Sequence, residues 1–177
     1  MSERFSLVTP EGDTRERLVC DRCGHIAYDN PKIVVGSVVA HAGQVLLCRR
    51  AIEPRRGYWT LPAGFMEHGE TAAEGAAREA MEEAQAAIAI EGLLGVYSIP
   101  RIGQVQLMFR ARFEGEPRFG AGPESEAVGL FAWEAIPWEA MAFPSVRWAL
   151  EAWRANPDGV LGAPEVERGT AGMSAPW

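Results

Sequence analysis

The sequence predicts an α/β fold, and three observations predict it. Apolar, branched runs at 33–40 and 45–48 are separated by a turn-forming stretch. A helix start stands at Thr71, followed by a helical pattern of small apolar residues. Branched and aromatic runs then recur at 93–99, 104–113 and 128–133, ahead of two helical segments at 137–143 and 145–154. A chain of 177 residues with 47% hydrophobic content can bury one proper core and needs no second one.

Taken in order, the N-terminal stretch MSERFSLVTPEGDTRERL lacks the apolar segment of a signal peptide, and no run approaches a membrane span, so a cytoplasmic protein without a membrane partner is expected. A formal charge of −7 argues against nucleic acid as a partner, because that grip depends on Lys and Arg neutralising phosphates. A small anionic substrate remains compatible with it, since a bound cation inverts the local field. Cys20, Cys23 and Cys48 are an odd set that does not form a secreted disulfide framework. Cys48 sits in the apolar run from Val45 and reads as a core thiol. Cys20-x-x-Cys23-Gly24 reads as a knuckle and supplies two candidate zinc ligands. Structural zinc takes four, so His25, His41 or a second subunit would have to complete the site.

Residues 33–40 and 45–48 form a predicted hairpin around 41–44. Arg49 and Arg50 end it, the basic loop 54–57 follows, and Gly64 turns the chain toward the helix. Thr71 with Glu74 makes a capping box. At 100° per residue, Ala73, Ala76, Ala77, Ala80 and Ala84 share one arc, and Glu79, Glu82 and Glu83 share the arc beside it. Like charges at these spacings repel by about 0.2–0.5 kcal/mol per pair, so the arrangement calls for a cation, and a divalent one fits best. Residues 114–127 read as a loop carrying Glu124 and Glu126. Residues 156–177, rich in Gly, Pro and charge, read as a flexible tail. The resulting division is an N-terminal extension 1–32, a domain 33–155 and the tail.

Gly64, Glu70, Arg78, Glu79, Glu82 and Glu83 fall in register with the Nudix box, G-x5-E-x7-R-E-U-x-E-E-x-G-U, with Ala80 and Ala86 at its apolar positions. The chain therefore resembles the Nudix hydrolases. Gln85 departs from the box, standing where the family has a second glycine. That glycine ends the helix, where positive φ is often needed, so the departure bears on the helix exit and not on the metal ligands. The run Cys20-x-x-Cys23-Gly24, Tyr28, Asn30-Pro31 is similar to the second half of the N-terminal zinc ribbon of one subgroup, whose upstream cysteine pair this chain lacks.

The resemblance implies an α/β/α sandwich with a mixed sheet, a short ribbon-like extension, and an active site on the strand-loop-helix unit. It implies Mg2+, with Mn2+ as a substitute, held by Glu79 and Glu83, joined by Glu82 directly or through water and by the Gly64 carbonyl. Glu70 and Arg78 would be a supporting ion pair. The expected activity is cleavage of a nucleoside diphosphate derivative, ADP-ribose or FAD, into AMP and a phosphorylated partner. NADH or another dinucleotide, or a silent nucleotide-binding regulatory module, are the alternatives. The general base would be Glu82, or Glu124 or Glu126 from the late loop. Arg49 and Arg55, with Arg50, Arg56 and Arg101, are candidates for phosphate contacts. Trp59 and Tyr97, with Tyr58 and Phe143, are candidates for stacking. A homodimer is a family-level expectation.

Overall fold

The computed structural model describes residues 4–156 and 165–166. Most of the expected tail, 156–177, lies outside the described residues. The chain divides into two units, Met1–Pro31 and Lys32–Trp177.

The first unit is an antiparallel sheet of β1 (Phe5–Val8), β2 (Arg17–Cys20) and β3 (Ile26–Ala27), with Phe5 opposite Cys20 and Leu18 opposite Ala27.

In the second unit, β4 (Lys32–His41) turns through Ala42 and Gly43, both at positive φ, into β5 (Gln44–Arg50). Such a two-residue turn matches the natural twist of a hairpin. The two strands pair directly only at Ala40 with Val45 and His41 with Gln44. Beyond that they splay, and a short wedge fills the gap: β6 (Trp59–Thr60) pairs with β5, and β7 (Ala63–Phe65) pairs with β4. The wedge carries Gly64 to the foot of α1 (Ala72–Ala84). β8 (Ile88–Ile99), β9 (Gln104–Phe113) and β10 (Ser125–Ala132) follow, then α2 (Pro144–Ala155) and β11 (Glu165–Val166).

The strand order is β10-β5-β4-β9-β8-β11. β4 runs parallel to β9, β11 runs parallel to β8, and the other pairings are antiparallel, so the sheet is mixed as expected. Alternate residues of the central strands face opposite cores. Val38, Val45, Leu47 and Met108 pack with Val146, Ala149 and Leu150 of α2. Val39, Leu46, Cys48 and Ala111 pack with Ala80 and Ala84 of α1. Helices thus cover both faces, which is why β4 is apolar on both. Ala76, Ala80 and Ala84 are fully buried, and their small side chains let α1 lie close to β4. Burial raises the Cys48 thiol well above its ordinary pKa, consistent with a core residue.

Two expectations shift. β8 begins at Ile88 and β10 at Ser125, so Glu126 lies in a strand rather than a loop. Residues 137–143 form a short 3-10 turn, Trp138–Ala140, and not a helix. Pro144 occupies the first turn of α2, and the residue before a proline is driven out of helical conformation.

Candidate active site

The site is built on α1 and the wedge that precedes it. Thr71 caps the helix: its hydroxyl accepts from the Glu74 N–H at 3.2 Å, and the Glu74 carboxylate accepts from the Thr71 N–H at 2.7 Å. One face buries the alanines, and the next turns Glu79 and Glu83 inward. Glu79 is 8% exposed and Glu83 5% exposed, whereas the Glu82 side chain is 58% exposed.

Each buried carboxylate leans on the wedge. Glu83 accepts from the Ala63 N–H at 3.1 Å. The Glu79 carboxylate lies against Gly64, where a Cβ would stand 2.4 Å from its Oε1. Burial pushes the Glu83 carboxyl up to about 7; the Ala63 hydrogen bond opposes this rise and neighbouring Glu79 adds to it. Burial also raises Glu79, partly offset by Arg78.

Arg78 gathers the remaining charge. Its Nε and Nη2 form a two-bond pair with Glu70 at 3.0 and 2.9 Å, its Nη1 reaches Glu79 at 2.7 Å and Glu82 at 2.9 Å, and Nη2 donates to the Phe65 carbonyl at 3.0 Å. Hydrogen bonds from Arg78, then from the Glu67 N–H, hold Glu70 down at about 2. The pairing expected of Glu70 and Arg78 is therefore present, and it ties the loop before α1 to the helix.

These groups floor a cleft of 840 Å³ that also takes in Arg50, Gln104, Gln106, Glu124 and Phe143. Arg50 projects over the Phe143 ring at 5.3 Å. Among the expected contacts, Arg50 and Phe143 line the cleft, while Arg49, Arg55, Trp59 and Tyr97 do not. Arg49 donates to the Gly57 carbonyl at 2.9 Å, and Arg55 lies over Tyr58 at 5.4 Å. Trp59 packs edge-on against Phe131 at 4.8 Å, and Tyr97 is 1% exposed, against Trp148. Glu126 is paired with Arg56 at 3.1 Å and Arg49 at 3.6 Å, away from the lining, whereas Glu124 is part of it. Gln104 and Gln106, joined by a hydrogen bond at 3.2 Å, escaped the sequence reading. Two glutamines at alternate positions opening a strand, Gln104 and Gln106, were the available signal for a polar-lined cavity.

The donor set suits a hard divalent cation. Two buried carboxylates, both raised by desolvation, stand beside a glycine backbone that leaves room, and all the donors are oxygens. Among the described residues the ribbon thiols lack the further donors that structural zinc takes. Cys20 is buried and Cys23 exposed in a turn closed by the Gly24 N–H on the Cys20 carbonyl at 2.9 Å. The turn between Pro10 and Asp13 closes the β1–β2 hairpin at the end away from Cys20. The Asp13 carboxylate accepts from Thr14, Arg15 and Arg17 at 2.7, 3.1 and 2.9 Å. Among the described residues no group of three or more Cys, His, Asp or Glu side chains is already gathered to hold a metal, at the thiols or at the carboxylates. Zinc in protein purified without chelator, measured by plasma mass spectrometry, is expected well below one per chain. Full occupancy would overturn this assignment.

Comparison with known proteins agrees with this geometry. The family described as NUDIX domain matches residues 30–152, and the family described as Nudix N-terminal, a zinc-ribbon family, matches residues 2–29. A NUDIX hydrolase of Nitrosomonas europaea, solved by crystallography, is 42% identical, superposes with a TM-score of 0.87, and is covered over 94% of its length by 93% of this chain. The ADP-ribose pyrophosphatase of Methanocaldococcus jannaschii is 38% identical over 73 residues, 41% of this chain and 43% of that protein. A MutT-like protein of Streptomyces ambofaciens is 40% identical over 82 residues, 46% of this chain and 51% of that protein. The chain thus spans about half the length of the curated relatives it matches.

Proposed function

The chain belongs to the Nudix hydrolase family, and from that premise we propose that it cleaves the diphosphate bridge of ADP-ribose or FAD to give AMP and a phosphorylated partner. The observation that carries this reading is the pair of buried carboxylates, Glu79 and Glu83, set at the floor of a cleft with Arg50 and Phe143 also in its lining. The partial match to an ADP-ribose pyrophosphatase supports the choice of substrate class.

Glu79 and Glu83 would hold Mg2+ or Mn2+, with Glu82 and the Gly64 carbonyl as further oxygen donors. When bound, such an ion neutralises phosphate charge and makes a coordinated water more acidic. Arg50 pairs with a phosphate through its fork of donors, and Phe143 offers its ring to the base or flavin. Gln104 and Gln106 supply polar contacts to the rest of the nucleoside. A carboxylate of the cleft takes the proton of the attacking water. Water oxygen then bonds to phosphorus, the bridging P–O bond breaks, and the departing phosphate keeps the electron pair. Glu124 suits the proton-accepting role better than Glu126, whose carboxylate is already engaged by Arg49 and Arg56; Glu82 is the other candidate.

Incubation with Mg2+ and a panel of ADP-ribose, FAD and NADH, followed by AMP release, is expected to show turnover on ADP-ribose or FAD ahead of NADH. A folded sample inert toward all three, with Mn2+ also tried, would sink the proposal.

A further inference from the structure

Helix α1 ends in a conformation that its own sequence disfavours. Gln85 takes φ 49° and ψ 32°, left-handed values that glycine adopts freely and a residue with a Cβ adopts at a penalty. Its side chain makes one contact in return: Nε2 donates to the Ala121 carbonyl at 3.2 Å. Around this contact the segment before β10 is fastened to the open end of the helix. The Gly120 N–H donates to the Ala84 carbonyl at 2.8 Å, and the Gly122 N–H to the Glu83 carbonyl at 3.1 Å. Last-turn carbonyls such as these have no donor within their own helix. The approach is so close that a Cβ on Gly122 would stand 1.8 Å from the Glu82 carbonyl oxygen. From there the Ser125 N–H returns to the Gly122 carbonyl at 3.1 Å, and the Ala51 N–H holds the Glu124 carbonyl at 2.7 Å. The backbone of Glu124 is thereby held on both sides, and the residue joins the lining of the cleft floored by Glu79 and Glu83.

The geometry points to Gln85 as a positioning residue: its amide clamps this loop to α1 and so sets Glu124 beside the buried carboxylates. The inference rests on the reading of Glu124 as the proton acceptor. A glycine at this position would allow the same helix exit and lose the side-chain tether while the two backbone bonds remain, so backbone ease and side-chain tether are in opposition at a single residue.

Gln85→Gly separates the two. Its Tm is expected to be equal to or above that of the parent, because the left-handed strain is gone. Its kcat is expected to fall about tenfold, as small misplacements of a reacting group do, while KM changes by less than about twofold. Hydrogen exchange at the Gly120 and Gly122 amides is expected to accelerate. In a Glu124→Gln background, itself slower, Gln85→Gly should cost nothing more, as two residues acting through one route are not additive. Unchanged exchange at both amides overturns the clamp whatever the activity. Full kcat in Gln85→Gly, or an equal loss in both backgrounds, overturns the positioning role alone. Full kcat in Glu124→Gln overturns the reading of Glu124 and this inference with it.

Discussion

Replacing Gly64 by alanine is expected to lower kcat about 100-fold, the scale of loss seen when a reacting geometry is displaced by an ångström, while leaving Tm nearly unchanged. The added Cβ would lie 2.4 to 2.5 Å from the Glu79 carboxyl atoms, and these are its three nearest neighbours. They are the far end of a side chain that can rotate away at small cost in stability. That rotation removes a carboxylate from the cleft floor. A contrasting case is Gly36, where a Cβ would meet the Pro62 carbonyl at 2.9 Å and Ala63 Cβ at 2.4 Å. There the backbone of the wedge would have to move, so the damage falls on folding. Steady-state kinetics on the preferred substrate, with a thermal melt of the same sample, check the first case. Near-parental kcat in Gly64→Ala would remove Glu79 from the role assigned to it.

The second large effect is on stability. In protein stripped of metal by EDTA, Glu83 titrates near 7 when folded against an ordinary 4.5, because it is buried. For a carboxyl raised in this way the folded state prefers the protonated form. No penalty applies below about 4.5; it grows as pH rises to 7 and is constant above. A shift of this size corresponds to about 3 kcal/mol, or roughly 6–12 °C of Tm for a domain of this length. Glu79 is raised by the same cause and adds in the same direction. Glu70, lowered to about 2 by Arg78, acts with opposite sign and only at pH below its ordinary value, outside this window. The stripped protein is therefore expected to melt lower at pH 8 than at pH 5. Glu83→Gln, which keeps an oxygen for the Ala63 N–H, should lose much of that difference and melt higher than the parent at pH 8. Added Mg2+ should raise the parental Tm more at pH 8 than at pH 5, since the ion requires the ionised carboxylate. Scanning fluorimetry across this range tests all three, and a flat parental profile would rule out strong desolvation of Glu83.

What could be read from the chain was what is local. The cap at Thr71, the alanine face and the neighbouring carboxylates follow from 3.6-residue periodicity, and α1 carries all of them. The mixed sheet with helices on both faces agrees with what the family resemblance implied. Side-chain direction in strands was harder, because one step of register exchanges the two faces. Arg49 and Arg50 are adjacent, yet only Arg50 reaches the cleft. Tyr97 has the composition of a stacking residue and the position of a core one. The wedge at 59–65 had no local signature, as it depends on β4 and β5 separating after two paired positions. Pro144 holds Phe143 in extended backbone and so ends any helix before α2, while the 3-10 turn at 138–140 has no comparable local signal.

The parallel pairing of β4 with β9 makes the middle of the sheet a long-range contact. Lys32 lies opposite Gln104, so the central pair of the sheet joins positions 72 residues apart. The intervening chain holds the wedge and α1, and closing so long a loop delays the reward of contact. Helix α1 can nucleate early from its own cap, but Gln104 and Gln106 reach the cleft only when that distant pair closes. The carboxylate wall is thus assembled from neighbours in sequence, and the glutamine wall from a long-range pairing. Because α1 itself packs on Ala111 of β9, both the glutamine wall and the helix that bears the charges draw on that one long-range pairing.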